Sequence, residues 1–185
     1  APMAGVTNWP FRLLCKEKGC GLVVTEFVSD KAILFESQRT HEMIELLDVE
    51  RPAGIQIFGA DADTMAAAAV KVVEKQQPDF VDINMGCPAP KVTKGRGGSS
   101  LLKEPENAEE IVRQVVRAVA PLPVTVKIRI GWDAQTINAV DIARRAEAAG
   151  AQMITVHGRT REQQYGGEAD WNVIAEVARS VQVPV

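Results

Sequence analysis

No apolar run in this 185-residue chain approaches the ~18 residues needed to span a bilayer, and no charged-then-apolar leader is visible. A cytoplasmic protein is the expectation. Cysteine is scarce: Cys15, Cys20 and Cys87 are too few and too unevenly spaced for a disulfide framework. Cys15 and Cys20 lack a second pair and make a poor zinc set, so structural thiols and no metal are expected. Excess positive charge is also lacking. The formal net charge is −3, where a nucleic-acid binder usually has a basic balance. Locally the balance reverses: from Cys87 to Lys103 the chain carries Lys91, Lys94, Arg96 and Lys103 and no acid. That run is either a solvated loop or a cationic contact surface. No G-x-G-x-x-G follows the first visible strand, which removes a Rossmann fingerprint. Gly95-Arg96-Gly97-Gly98-Ser99-Ser100 lacks the Lys-Ser/Thr ending of a P-loop and reads as a mobile basic loop.

What is present is a 46% apolar composition, enough for a real core. Short Val- and Ile-rich runs at 21–26, 54–58, 80–84, 124–128 and 153–157 predict strands, and 183–185 begins another. Their near-continuous hydrophobicity suits strands covered on both faces. Helical patterns fall between them at 9–18, 63–75, 106–119, 136–149 and 171–181. Asp63 is the expected N-cap of the second, Pro105 fits a first turn, and Gly150 a C-terminal stop.

Strand starts recur at about the length of a βα unit, which predicts a parallel sheet. Polar residues follow several different strands, and this favours a (β/α)8 TIM barrel over an open doubly wound sheet. A whole barrel takes about 200 to 250 residues. The expectation is therefore an incomplete barrel, with its first strand before Ala1 and its C-terminal strands after Val185.

Chemistry concentrates at strand ends. In Asp82-Ile83-Asn84-Met85-Gly86-Cys87-Pro88, Gly86 permits a tight turn and Pro88 fixes the exit, holding Cys87 above the strand. Such a cysteine is a nucleophile as thiolate, a proton donor as neutral thiol, or a buried small apolar residue. No sequence-adjacent His supports the nucleophile. An unperturbed thiol, with pKa ~8.5, is mostly protonated at neutral pH. Lys127 and Arg129 share one strand face, and an inward Lys in an apolar run calls for an anion. A snorkelling Lys at an exposed edge is the bland alternative. His157-Gly158-Arg159-Thr160-Arg161 follows the next strand, where His157 either caps it or converges with Lys127 on one ligand. Gln56 and Asn84 are amides in buried strands and need partners.

Taken together, Ala1-Pro2-Met3-Ala4-Gly5-Val6-Thr7, the Asp82–Pro88 segment, Lys127-Ile128-Arg129 and His157-Gly158-Arg159-Thr160 resemble the tRNA-dihydrouridine synthases, the bacterial B-type branch above all. The resemblance runs the length of the chain. It implies that residues 1–185 are part of an FMN-binding catalytic barrel that reduces the uridine C5–C6 bond in tRNA, with NADPH as reductant. Pro2, Met3 and Ala4 would lie beside the flavin ring, and Gln56, Lys127 and His157 would contact its polar atoms. Cys87 would protonate uracil C5, while Asn84, Arg129 and Tyr165 would hold the base. Lys91 and Arg96, in the basic run, would meet tRNA phosphates. The residues gripping the FMN phosphate, and a C-terminal helical tRNA-binding domain, would lie beyond Val185. A monomer is expected. Two other readings stay open: an FMN barrel acting on free pyrimidines, similar to dihydroorotate dehydrogenase, and a non-catalytic RNA-binding module.

Overall fold

Alternation of side chains along each strand decides the architecture. The computed structural model describes residues 2–36 and 38–185; Ala1, which opens the first motif, lies outside them. In chain order the elements are α1 (Trp9–Glu17), β1 (Val23–Val24), β2 (Val28–Ser29), α2 (Asp30–Phe35), α3 (Gln38–Ile44), β3 (Ala53–Phe58), α4 (Ala62–Gln76) and β4 (Phe80–Met85). There follow α5 (Pro90–Thr93), α6 (Pro105–Val119), β5 (Val124–Arg129), α7 (Ala139–Ala148), β6 (Met153–His157) and α8 (Trp171–Ser180). All strand pairs are parallel, in the order β1-β3-β4-β5-β6, with β2 continuing alongside β3. The result is a curved α/β half-barrel, an incomplete TIM barrel.

One strand face is apolar. Ile55, Ile57, Val81, Ile83, Met85, Val126, Ile128 and Ile154 pack against Met65, Val72, Ile111, Val115, Ile142 and Val177 of the outer helices. The opposite face carries Gln56, Asp82, Asn84, Thr125, Lys127, Arg129, Thr155 and His157. Register gathers these into layers, with Gln56 beside Asp82 and Asp82 beside Thr125. Asn84 lies beside Lys127 and Lys127 beside Thr155. The strands are thus two-faced, and the continuous hydrophobicity read from sequence holds only for the outer face. Parallel strands in register stack like with like, so polar positions accumulate inside one half-barrel.

Predicted strands 54–58, 80–84, 124–128 and 153–157 match β3 to β6 within one residue at each end. Of the 21–26 strand only Val23–Val24 form β1, and pairing with β3 resumes beyond the predicted range at β2, Val28–Ser29. Between Val24 and Val28 the chain advances one residue more than β3 does between Gly54 and Ile57, a bulge in all but name. Thr25 fills the interruption, its Oγ1 accepting the Gln56 N–H at 3.2 Å. Near 183–185 the Pro184 carbonyl accepts the Ile154 N–H at 2.9 Å, extending pairing beyond β6.

Asp61, not Asp63, caps α4, accepting the Thr64 N–H at 2.9 Å; Asp63 lies in the first turn. Pro105 does begin α6, and Gly150, at φ +105°, follows α7. α7 begins later than predicted because Asp133 captures Gln135 and Thr136 in a turn of its own. Residues 95–100 correct another expectation. Gly97, Gly98, Ser99 and Ser100 are buried, and Gly98–Lys103 is a 3-10 helix rather than a mobile basic loop. No helix among the described residues is long and apolar enough to cross a membrane.

One buried ion pair ties the N-terminal segment down. Arg12 and Glu50 are 3% and 0% exposed, and the guanidinium meets the carboxylate through Nε and Nη2, both at 3.1 Å. Nη1 donates to the Thr7 carbonyl and Nη2 to that of Glu45, at 2.8 and 2.9 Å. Removing one partner strands a buried charge, at a cost of about 3–5 kcal/mol. Glu50→Gln in the full-length protein is expected to lose that much stability in urea unfolding, and a loss below about 1 kcal/mol would contradict the role given to the pair.

Candidate active site

The turn after β4 is built to fix one thiol. Asn84, at the penultimate strand position, directs Oδ1 to the N–H groups of Gly86 and Cys87, at 3.1 and 2.9 Å. Arg129, at the end of β5, donates Nε–H to the Gly86 carbonyl at 2.9 Å. From the other side Ser99 donates both its N–H and its hydroxyl to the Cys87 carbonyl, at 3.1 and 2.9 Å. Gly98 makes that approach possible: at φ +58°, a Cβ there would sit 2.9 Å from the Cys87 oxygen. The turn that carries Cys87 is held from its own strand, from β5 and from the segment that follows it.

Cys87 is 9% exposed and opens onto a cavity of ≈ 680 Å³ at the C-terminal ends of β4, β5 and β6. Pro2, Met3 and Ala4 form one wall. Asn84, Lys127, Arg129 and His157 line its floor and rim, and Tyr165 lines it too. Thr7 holds the Met3 wall, accepting the Met3 N–H at 3.1 Å, while its own carbonyl is bound by Arg12. The buried ion pair of the fold therefore sets one side of the cavity.

Burial raises the Cys87 thiol above its ordinary range, partly opposed by a backbone hydrogen bond at Ala89 and the Arg129 charge. A neutral thiol is the result at pH 7. Burial likewise lowers the Lys127 ammonium, with Asp82 pulling the other way and Arg129 adding to the fall. His157 drops to about 4, through burial and then the charges of Arg129, Lys127 and Arg159, so it is an uncharged imidazole. The site thus offers a protonated thiol, a half-buried cation and a neutral ring.

Other residues singled out from sequence sit differently. Gln56 is fully buried and does not line this cavity; its amide nitrogen meets Asp82 and its oxygen accepts from Asn84 at 2.9 Å. Arg129 donates to the carbonyls of Thr160 and Gln164, both at 2.8 Å, and lies 5.7 Å from the Tyr165 ring. It thus staples the loop after β6 to the Cys87 turn. Lys91 is exposed on α5, outside the cavity. Arg96 is exposed too but pairs with Glu104, just past the acid-free run. Lys103 lies 4.1 Å from the Trp132 ring, which Arg161 approaches to 4.5 Å. Among the described residues no group of His, Cys, Asp and Glu is placed to hold a metal.

Sequence reasoning passed over Asp82 and Thr125 as individual residues. The period-2 spacing that pairs Lys127 with Arg129 also puts Asp82 and Asn84 on one face of β4, and that signal is present in the residues. Arg12 and Glu50, 38 residues apart, leave none.

A half-barrel with an apolar outer face, a polar interior and a ligand-sized cavity over the strands' C-terminal ends has the layout of a TIM-barrel ligand site. Solved structures agree on the fold. A putative deoxyribose-phosphate aldolase from Toxoplasma gondii superposes with TM-score 0.56 at 16% identity, covering 97% of this chain and 64% of its own. A phosphonopyruvate hydrolase superposes at 0.55 and 16%, covering 96% and 72%. The family model described as dihydrouridine synthase (Dus) matches residues 1–185, and the chain belongs to that family. Over 100% of the chain, it is 46% identical to a "Probable tRNA-dihydrouridine synthase" of Rhizobium leguminosarum bv. phaseoli and 48% to one of Rhodobacter capsulatus. It is 47% identical to "tRNA-dihydrouridine synthase B" of Pseudomonas syringae pv. tomato. The chain spans 54–57% of the length of these curated relatives.

The His157 value carries a pH dependence. Its folded pKa of about 4 lies below the ordinary 6.5, so between those values the unfolded state binds more protons. The contribution to stability is full above pH 6.5 and falls as pH drops toward 4. Histidine ring NMR is expected to show His157 still neutral about one unit below the ordinary histidine pKa, and His157→Gln to flatten the stability loss across that acidic window. A ring titrating at 6.5 would refute the assignment.

Proposed function

We propose that the protein to which this chain belongs is an FMN-dependent tRNA-dihydrouridine synthase that uses NADPH, with Cys87 as the proton donor. The observation that carries this reading is the neutral Cys87 thiol, clamped on three sides, at the mouth of a cavity that also holds Lys127 and His157. The cavity suits a flavin ring. Its volume lies within the ~300–1,000 Å³ usual for cofactor sites. Pro2, Met3 and Ala4 offer an apolar wall for a flat face, and Lys127 and His157 offer polar contacts for an edge.

When bound, the reduced flavin supplies hydride to uracil C6. Negative charge then develops toward C5 and O4, and the Cys87 Sγ–H delivers its proton to C5, leaving a thiolate that solvent reprotonates. Arg129, which donates to the Gly86 carbonyl beside Cys87, steadies that thiolate. Lys127, cationic and half-buried, favours anionic charge on the group beside it. Tyr165, 69% exposed over the cavity and 6.1 Å from the His157 ring, would stack on a base flipped out of the RNA. Lys91 and Lys94 lie exposed beyond the rim, where phosphates of a tRNA would pass, and Arg96 joins them on release from Glu104.

Cys87→Ala in the full-length protein tests the role. Flavin content and flavin reduction by NADPH are expected to stay within about twofold of wild type, while dihydrouridine formation in tRNA falls by about 10²–10⁴-fold, the usual worth of a positioned acid. Unchanged dihydrouridine formation would remove Cys87 from the chemistry, and a flavin-free wild-type protein would remove the function.

A further inference from the structure

Beneath the Cys87 turn runs a single file of polar side chains with only one workable direction. Asp82, Gln56 and Asn84 are 4%, 0% and 7% exposed. The Gln56 Nε2 donates to Asp82 Oδ2, and Gln56 Oε1 accepts from Asn84 Nδ2 at 2.9 Å. Asn84 Oδ1 then accepts the N–H groups of Gly86 and Cys87. At the far end Thr125 donates its hydroxyl to Asp82 Oδ1.

We infer that Asp82 is a positioning residue for Cys87, acting through the amide orientations of Gln56 and Asn84. Donor and acceptor chemistry dictates this. Backbone N–H groups at the turn demand an acceptor, so Asn84 must present oxygen upward and nitrogen to Gln56. A carboxylate oxygen accepts, so Gln56 must present nitrogen to Asp82 and oxygen to Asn84. Both ends enforce the same direction. With an amide in place of the carboxylate, only the turn's own N–H groups still set the direction, and the reversed file, in which Asn84 turns an NH2 group against the Cys87 N–H, is less strongly excluded. Wherever that reversed file forms, two donors face each other in a buried site and the turn opens. Burial raises the Asp82 carboxyl, with Thr125, Gln56 and Lys127 opposing the rise. Retaining an acid there, when an amide would be less costly to bury, fits a directional role. The reaction in which Cys87 serves rests on the function proposed above; the positioning does not.

The file can be run backwards by design. In the double variant Asp82→Asn/Asn84→Asp, Thr125 donates to the new amide oxygen at 82, whose nitrogen donates to Gln56 Oε1. Gln56 Nε2 then donates to the carboxylate at 84, which still accepts from Gly86 and Cys87. Asn84→Asp alone is frustrated, because two carboxylates then compete for the Gln56 NH2, whereas Asp82→Asn removes one of the two constraints on direction and keeps the other.

The test is the alkylation rate of Cys87 by iodoacetamide in the full-length protein, followed by peptide mass spectrometry, with dihydrouridine formation measured alongside. Asn84→Asp is expected to alkylate at least about fivefold faster than wild type, Asp82→Asn faster by a smaller factor, and the double variant within about twofold of wild type, the fivefold being roughly 1 kcal/mol of lost closure. Wild-type rates in both singles, or a double as reactive as the worse single, would overturn the relay. If a single variant does not fold, the double decides: a folded double with wild-type reactivity supports the relay, and an unfolded or fast-reacting one overturns it. A simple buried acid would gain nothing from a carboxylate moved to position 84. Wild-type protein inactive on tRNA would overturn the proposed function, and the alkylation rates would still decide the relay.

Discussion

A carboxylate held between parallel strands must be met by hydrogen-bond donors, and Asp82 is met on both oxygens. Much of the interior follows from that requirement. Its donors come from β3 and β5, the two strands flanking β4, so the register of three strands is tied to one residue. A shift of one position on either side would swing Gln56 or Thr125 to the helix-facing surface and leave the acid alone. The next layer repeats the theme, with Asn84 and Lys127 side by side. The half-barrel thus has an oily outside that supplies stability and a polar inside that supplies register.

The Cys87 turn sits where three independent supports meet. Asn84 holds it from its own strand, Arg129 from β5, and Ser99 from the 3-10 helix that follows. Arg129 also reaches the loop after β6, so the thiol and Tyr165 share a frame. The Met3 wall hangs on Thr7 and, through it, on the Arg12–Glu50 pair. A thiol so enclosed stays protonated without any special acid or base beside it. Burial, which makes a cysteine a poor nucleophile, makes it a serviceable proton donor.

Much of this was legible in the residues. Parallel α/β units, four of the strands and the position of Cys87 at a strand end all follow from local hydrophobic runs and turn residues. The split of the first strand was not legible, because a bulge depends on the partner's register and not on the strand's own composition. Gly95–Ser100 looked like a mobile loop since glycine and serine are typical of loops. Here Gly98 is needed for close approach to Cys87, and Ser99 for its hydroxyl. Gln56 carried a signal of importance, a polar residue in a buried strand, but not the identity of its partners.

By itself the sequence determined the periodicities, and with them the fold class, the family and the short stretch that holds the Cys87 thiol. These are properties of neighbours along the chain, where spacing alone sets which residues share a face. Tertiary structure decided the rest: that Asp82 meets donors from both flanking strands, that Arg129 ties two loops together, that Arg96 is already paired, and that Cys87 and His157 are both uncharged. Each depends on which distant groups come within hydrogen-bond reach and how much water is excluded around them. Neither distance nor hydration is a property of the chain until it is folded.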